Sequence, residues 1–278
     1  MDKLANKLVK AGDLFISKKG PLKFHLEAAR LLTEADFPSK YSFEQLINLS
    51  FKKNIESIQN YKAFEFSDLP LTLARGKNCF LDLYVWRRRP TTIHNHHFMG
   101  AFQCLEGSNV DLKFSFKNKK KLGKHHSLGE LKLDETRNVT RGIVVPIDLG
   151  DKFIHQNHHH HDLTVNLCFR TPDFKGRHIA NFLYSGLRYE KAQAMLVRTE
   201  RLFRLLKMSD VDLKKINLDL DDALSFLIQS YGSTSENVPF LSMRNTLIKR
   251  VKKELKIDVD DLLDQHESEL DLIQSNYN

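Results

Sequence analysis

Over residues 67–172 short apolar β-rich runs alternate with turn signals, whereas on both sides the apolar positions recur at helical spacing. The central region holds short β-rich runs at 80–86, 101–105, 110–116 and 163–169. Val110, Leu112, Phe114 and Phe116 share one face of the third of these runs. Turn chemistry at 75–78, 107–109, 117–124, 134–138, 148–151 and 158–162 separates the runs. Before them, Phe24, Ala28, Leu31 and Leu32 form a helical stripe that ends at Asp36, Phe37 and Pro38. Gly12 weakens the segment ahead of it, and Pro21 suits a first turn. Ser42 and Gln45 have capping-box spacing for a third helix facing inward through Phe43, Leu46, Ile47, Phe51, Ile55 and Ile58. From Gly186 onward helices are expected, with Ala192, Leu196, Phe203 and Leu206 on one face. Further helices are expected over 219–231, 241–256 and 258–273.

Many short strands at this spacing predict a sandwich or barrel. The chain is expected to be mainly β with flanking helices: an N-terminal helical segment at 1–66, a barrel at 67–172 and a C-terminal helical segment at 173–278. The helices are expected to pack on the barrel or to mediate a homodimer.

The candidate chemistry lies at 91–100. A strand carries residues two apart on the same side, so His94 and His96 aim two imidazoles at one point. Such a pair alone is also compatible with two half-exposed strand residues. Here β-rich runs flank it, and a second His-bearing run, 150–155, follows about sixty residues later. His155 is the expected third ligand, because Phe153 and Ile154 place it on a strand. His158 and His160, in the turn expected at 158–162, are the alternatives. His97 is expected to face away, and His125 and His126 to be solvated in a basic loop. Three neutral imidazoles accept a divalent transition metal and leave positions open for ligands.

The His94-x-His96 pair followed by Gly100 and Gly107 resembles the first motif of the cupin superfamily, with Gly100 where the family's Glu ligand stands. Loss of that Glu, with Trp86 upstream, is similar to the thiol dioxygenases of the cysteine and mercaptopropionate type. The resemblance implies a double-stranded β-helix, or jelly-roll barrel. It also implies mononuclear non-haem Fe(II) on His94, His96 and His155, and a reaction of dioxygen with a small anionic carboxylate or thiol substrate. Arg75 stands where that group binds a substrate carboxylate. Trp86 is expected at the substrate. The run at 163–169 carries Thr164, Asn166 and Phe169 where the thiol dioxygenases have Ser, His and Tyr. Thr164 and Asn166 are therefore expected to orient dioxygen or substrate. A non-catalytic metal-dependent ligand-binding or sensing cupin and a metal-dependent cupin isomerase are the alternatives.

The net charge of +8 gathers at Arg87, Arg88 and Arg89, at Lys117 to Lys124, and at Lys249 to Lys253. No interleaved aromatics or nucleic-acid module accompany these runs, so a solvated surface is expected rather than a nucleic-acid site. No stretch is long and apolar enough to span a bilayer. The first residues lack an apolar leader core. Cys79, Cys104 and Cys168 sit on apolar runs and suit buried free thiols in a reducing compartment. A cytoplasmic location is expected.

Overall fold

A computed structural model describes residues 3–50, 59, 67–87, 90–176, 178–190, 218–231 and 238–277. They fall into two compact units, one formed by Met1–Ser115 with Leu133–Arg177 and the other by Phe116–Lys132 with His178–Asn278.

The first unit opens with helices α1 (Lys3–Lys19), α2 (Phe24–Ala35), α3 (Phe37–Lys40) and α4 (Phe43–Ser50). Asp36 adopts the left-handed conformation, φ 47°, and stops α2. The expected capping box is present at α4: the Ser42 N–H donates to Gln45 Oε1 at 2.9 Å, and the Gln45 N–H donates to Ser42 Oγ at 3.3 Å. Phe51, Ile55 and Ile58 lie outside the described residues.

The strands of this unit are β1 (Leu69–Arg75), β2 (Phe80–Trp86), β3 (Ile93–His96) and β4 (Gly100–Glu106), then β5 (Ser108–Lys121), β6 (His126–Thr140), β7 (Val144–Ile147), β8 (Gly150–His159) and β9 (Thr164–Arg170). One sheet has the order β1-β2-β9-β4-β7, and in the other β3 pairs with β8 and β8 with β5. This is the jelly-roll layout that the resemblance implied, mainly β with helical segments on either side along the chain.

Period two explains how the layers meet. Leu81, Leu83, Ala101, Leu105, Val165, Leu167 and Phe169 point outward under α1 and α2, where they join Leu8, Val9, Phe24, Ala28 and Leu32 in one core. The intervening residues of the same strands, among them Tyr84, Trp86, Phe102, Cys104 and Cys168, build a second cluster on the inner face. Gly12 turns out to be a packing position, since a Cβ there would stand 2.6 Å from the Phe169 ring. Asp13 then clamps the β1–β2 hairpin by accepting from the N–H groups of Lys77 (2.7 Å) and Asn78 (2.6 Å).

In the second unit, the hairpin end of β5 and β6 accompanies β10 (Ala180–Phe182), β11 (Leu187–Glu190) and helices α5 (Leu220–Ser230), α6 (Val238–Leu255) and α7 (Val259–Tyr277). Leu187, Leu224, Phe226, Leu227, Leu247, Val251 and Leu263 form its core. Asp219 caps α5 by accepting from the Asp222 N–H at 2.8 Å.

Three local expectations are corrected. Residues 134–138 are mid-strand in β6, whose backbone pairs while its side chains stay largely in water, so the polar sequence did not signal a strand. Strand β8 continues through His159, and His158 and His159 are buried. Gly186 precedes strand β11 and not a helix. Ala192, Leu196, Phe203 and Leu206 lie outside the described residues, as do Arg88 and Arg89. The lysines at 117 and 119–121 are exposed, as expected of a solvated hairpin end. Among the described residues no helix is long and apolar enough to cross a membrane.

Candidate metal centre

His94 on β3 pairs directly across the ladder with His155 on β8, which puts both imidazoles on one face. His96, two residues on from His94, shares that face. The β3–β8 register shifts between Asn95 and His96, so the strand bends where the second imidazole enters. The three rings lie with centroids 4.8–5.0 Å apart, all three residues are buried, and their ligating atoms all fall within 4.8 Å of one another.

Hydrogen bonds orient two of the rings. The Nδ1 of His94 lies 2.7 Å from the Thr92 carbonyl oxygen and donates to it, leaving Nε2 as the lone-pair nitrogen. The Nδ1 of His155 lies 2.7 Å from the Asp111 carboxylate, again as donor, which frees Nε2 for a ligand. A carboxylate behind an imidazole fixes the tautomer and raises its basicity, the usual support for a metal-ligating His. His96 Nε2 and His155 Nε2 stand 2.9 Å apart. Two nitrogens bound to one ion at about 2.0–2.1 Å and at right angles would be separated by about 2.9 Å. Burial drives the His96 pKa well below its usual value, and the neighbouring imidazoles push it further down, so the ring is neutral. Three nitrogen donors, a supporting carboxylate and this spacing fit a divalent transition metal.

The trio lines a cavity of about 30 Å³ together with Tyr84, Trp86, Phe98, Phe102, Asn157 and Asn166. Trp86 and Asn166 therefore stand at the histidines. Thr164 is buried on the same strand face but does not line the cavity; its Oγ1 donates to the Ser108 carbonyl at 3.4 Å. Arg75 is not brought to the group. It ends β1, exposed, with its guanidinium over the Phe80 ring at 5.2 Å, because pairing with Phe80 places it at the rim of the sheet.

Arg170, at the end of β9, is a residue that sequence reasoning missed. Period two along β9 puts it on the face of Asn166 and Cys168, which was the available signal. Its Nε donates to Asp82 Oδ2 at 2.8 Å and to the Tyr84 hydroxyl at 3.2 Å, and its guanidinium lies over Phe80 and Phe98. Burial works against the charge, but Tyr84 and Asp82 outweigh it and hold the Arg170 pKa above its usual value. Arg170 also explains Gly100. The two residues are cross-strand partners, and a Cβ at 100 would lie 2.3 Å from the Phe169 carbonyl oxygen and 2.9 Å from the Arg170 Cβ.

The remaining histidines separate clearly. His158, one of the alternative ligands, is buried in β8 with Nε2 2.9 Å from Gln156 Oε1, and burial lowers its pKa to about 4. His160 follows the end of β8. Neither joins the trio. The ring of His159 stacks on Trp86. His97 faces away, 3.0 Å from Asp173. His126 is not solvated: its side chain is fully buried against Asp221 in the second unit. Burial raises the pKa of Cys104 to about 11 and that of Cys168 to about 12, and it drives that of Cys79 higher still, so all three are protonated thiols.

No protein-family model and no curated protein matches the sequence. Solved structures with some likeness include a cupin 2 conserved barrel domain protein from Rhodopseudomonas palustris (14% identity, TM-score 0.29, 49% of this chain and 74% of that one). A cupin-2 domain protein from Rhodospirillum rubrum has 12% identity and TM-score 0.29 over 48% of this chain and 70% of that one. A hydroquinone 1,2-dioxygenase from Sphingomonas has 7% identity and TM-score 0.30 over 37% of this chain and 65% of that one. The chain spans half the length of another match, a cysteine peptidase from Thevetia peruviana latex. Likeness at this level carries no assignment, and the jelly-roll reading rests on the strand order above.

Proposed function

We propose that this chain is a cupin-type mononuclear metal enzyme, a non-haem Fe(II) oxygenase that joins dioxygen to a small molecule, nearest in type to the thiol dioxygenases. The observation that carries the reading is the convergence of three buried imidazoles on one cavity, with Asp111 behind the third. His94, His96 and His155 would hold the ion, and Fe(II) bound there supplies the redox chemistry with dioxygen that protein side chains lack. The carbonyl of Thr92 and the carboxylate of Asp111 keep a lone pair on each Nε2. Trp86, Phe98 and Phe102 wall the cavity against water. Asn166 orients the substrate or dioxygen. Thr164 contributes by fixing the start of β9. Its partners in this reading are the small molecule and dioxygen, without nucleic acid or membrane, in the cytoplasm, with a homodimer formed through the helices.

The isomerase alternative needs a proton-accepting side chain at the cavity. Beyond the histidines the described lining residues offer the ionisable groups of Tyr84 and Cys168, whose pKa values burial raises, so no such base is found among the described residues. The sensing alternative uses the same cavity and is separated by oxygen consumption.

The test is elemental analysis of protein prepared without a His tag or nickel column, beside a His94→Ala/His155→Ala variant. About one iron per chain in the wild type, lost in the variant, is the expected result. Oxygen uptake across a panel of small thiols and phenols is then expected. Iron retained in the variant would sink the ligand assignment. Bound metal without oxygen uptake would move the reading to a binding module.

A further inference from the structure

Helix α1 has two unlike faces. One buries Ala5, Leu8 and Val9 in the core over the sheet. The other carries Lys3, Lys7, Lys10, Leu14 and Lys18, which recur at three- and four-residue spacing and are all exposed. Five lysines against one acid, Asp13, give the helix a net charge of +4, and Asp13 is turned to the β1–β2 hairpin. Lys3, Lys7, Lys10 and Lys18 make no ion pair among the described residues. Apolar side chains stand beside this charge. Of the nine large hydrophobics exposed among the described residues, Leu14 (55%), Leu22 (68%) and Leu26 (57%) fall where α1 turns into α2. Lys19 and Lys23, between them in sequence, are exposed as well. Exposed leucines rimmed by charge are the composition of a contact surface.

In the second unit α7 is the reverse. It carries six acids and no Lys or Arg, a net charge of −6 in a chain whose total is +8. Asp261, Asp264, Glu267, Glu269 and Asp271 are exposed, and Leu272 beside them is 58% exposed, while Val259 and Leu263 face the core. Glu267, Glu269 and Asp271 make no ion pair among the described residues. A cleft of about 410 Å³ lies between α7 and the β10–β11 turn, lined by Tyr184, Ser185, Asp264, Gln265, Ser268 and Glu269. It sets two carboxylates beside open space large enough to admit lysine side chains.

We infer that the lysine and leucine face of α1 and α2 docks on the acidic face of α7 of a second copy of this chain. Every copy carries both faces, so in a twofold dimer the contact is made twice. Neither face suits itself, because like charges would meet. Single exposed ion pairs contribute little, so the charges select and orient the partner while Leu14, Leu22, Leu26 and Leu272 supply apolar area to bury. The inference rests on the homodimer of the reading above and names its surfaces; it is independent of the metal.

The experiment is analytical ultracentrifugation of the full chain. Wild type is run beside two charge-reversal variants, Lys3→Glu/Lys7→Glu/Lys10→Glu on α1 and Glu267→Lys/Glu269→Lys/Asp271→Lys on α7, each alone and then mixed in equal amounts. The expected wild-type result is a dimer whose dissociation constant rises about tenfold or more between about 0.05 M and about 0.5 M salt. Each variant alone is expected to be monomeric. Their mixture is expected to be dimeric, because the reversed α1 of one copy meets the reversed α7 of the other and the remaining two faces keep their native charges. A mixture that stays monomeric, as it would if α1 and α7 paired within one chain, overturns the inference, and so does an association insensitive to salt. A dimer indifferent to both reversals defeats this inference and leaves the homodimer standing on other surfaces. A monomeric wild type defeats both. Should a reversal variant fail to fold, Leu22→Gln/Leu26→Gln reads the same face: its dissociation constant should rise about tenfold, and an unchanged value counts against the assignment. Iron content should be the same in all of these proteins, so the metal reading is tested separately.

Discussion

The same pair of groups occurs twice in this protein with opposite consequences. In the first unit His155 gives its Nδ1 proton to Asp111 at 2.7 Å, and in the second His126 gives its Nδ1 proton to Asp221, also at 2.7 Å. What differs is the far side of each ring. The Nε2 of His155 meets the imidazole of His96 beside a cavity, whereas the Nε2 of His126 points at Ser225 Oγ, 3.4 Å away. Ser225 in turn donates to the Asp221 backbone carbonyl at 2.7 Å, as a helix serine commonly does. The second arrangement has the residue types of a nucleophilic triad, but its hydroxyl proton is directed away from the imidazole. Asp221 also accepts from the N–H groups of Lys124 (2.7 Å) and His125 (3.0 Å), so it ties the β5–β6 turn to α5. An imidazole–carboxylate pair is therefore a support, and the group in front of the second nitrogen decides whether it supports chemistry or a fold.

The comparison is broken most forcefully at the second pair. Asp221→Ala should destabilise the protein by about 3 kcal/mol in urea unfolding, because it strands a buried imidazole and two backbone donors, while metal content stays unchanged. Metal loss in this variant would mean that the pair is no mere support. At the first pair the effect is smaller and of another kind. Asp111→Asn should weaken metal binding by about 10–100-fold in a chelator competition while leaving the unfolding curve close to wild type. The smallest effect is on pH dependence. Burial outweighs Asp221 and lowers the His126 pKa below its usual value of about 6.5, and burial lowers that of His158 to about 4. As the pH falls below 6.5 the unfolded chain takes up these protons first, so stability is complete above that pH and declines towards the folded-state values. Urea midpoints measured between pH 7 and 5 should fall, and less steeply in His126→Asn, whose amide can still donate to Asp221.

Where one face of a strand is apolar and buried, the sequence showed it. Leu81, Leu83, Val165, Leu167 and Phe169 alternate with the residues that face the cavity, and His94 and His96 follow the same rule. Asp111 was hidden by that rule: Val110, Leu112 and Phe114 look like the inward side of β5, yet the strand is covered on both faces, and the polar side holds the supporting carboxylate. His158 and His159 resembled a turn because four consecutive histidines carry no alternation, although β8 runs through the first two. Arg75 was placed by the family resemblance, while Arg170 arrives from a strand eighty-eight residues away from its partner Asp82, a pairing that exists only after the sheet forms.

Gly100 and Arg170 occupy one space between them. An acidic residue introduced at position 100 to give the centre a fourth donor would collide with the Phe169 carbonyl and the base of Arg170 before reaching any ion. Trimming Arg170 alone would leave Asp82 buried without its cation, with the hydroxyls of Tyr84 and Thr72 still hydrogen-bonded to it. Each single change is a loss, so the two positions are epistatic. Under the proposed metal reading, a fourth donor at position 100 would require altering both positions together and moving the β4–β9 backbones apart.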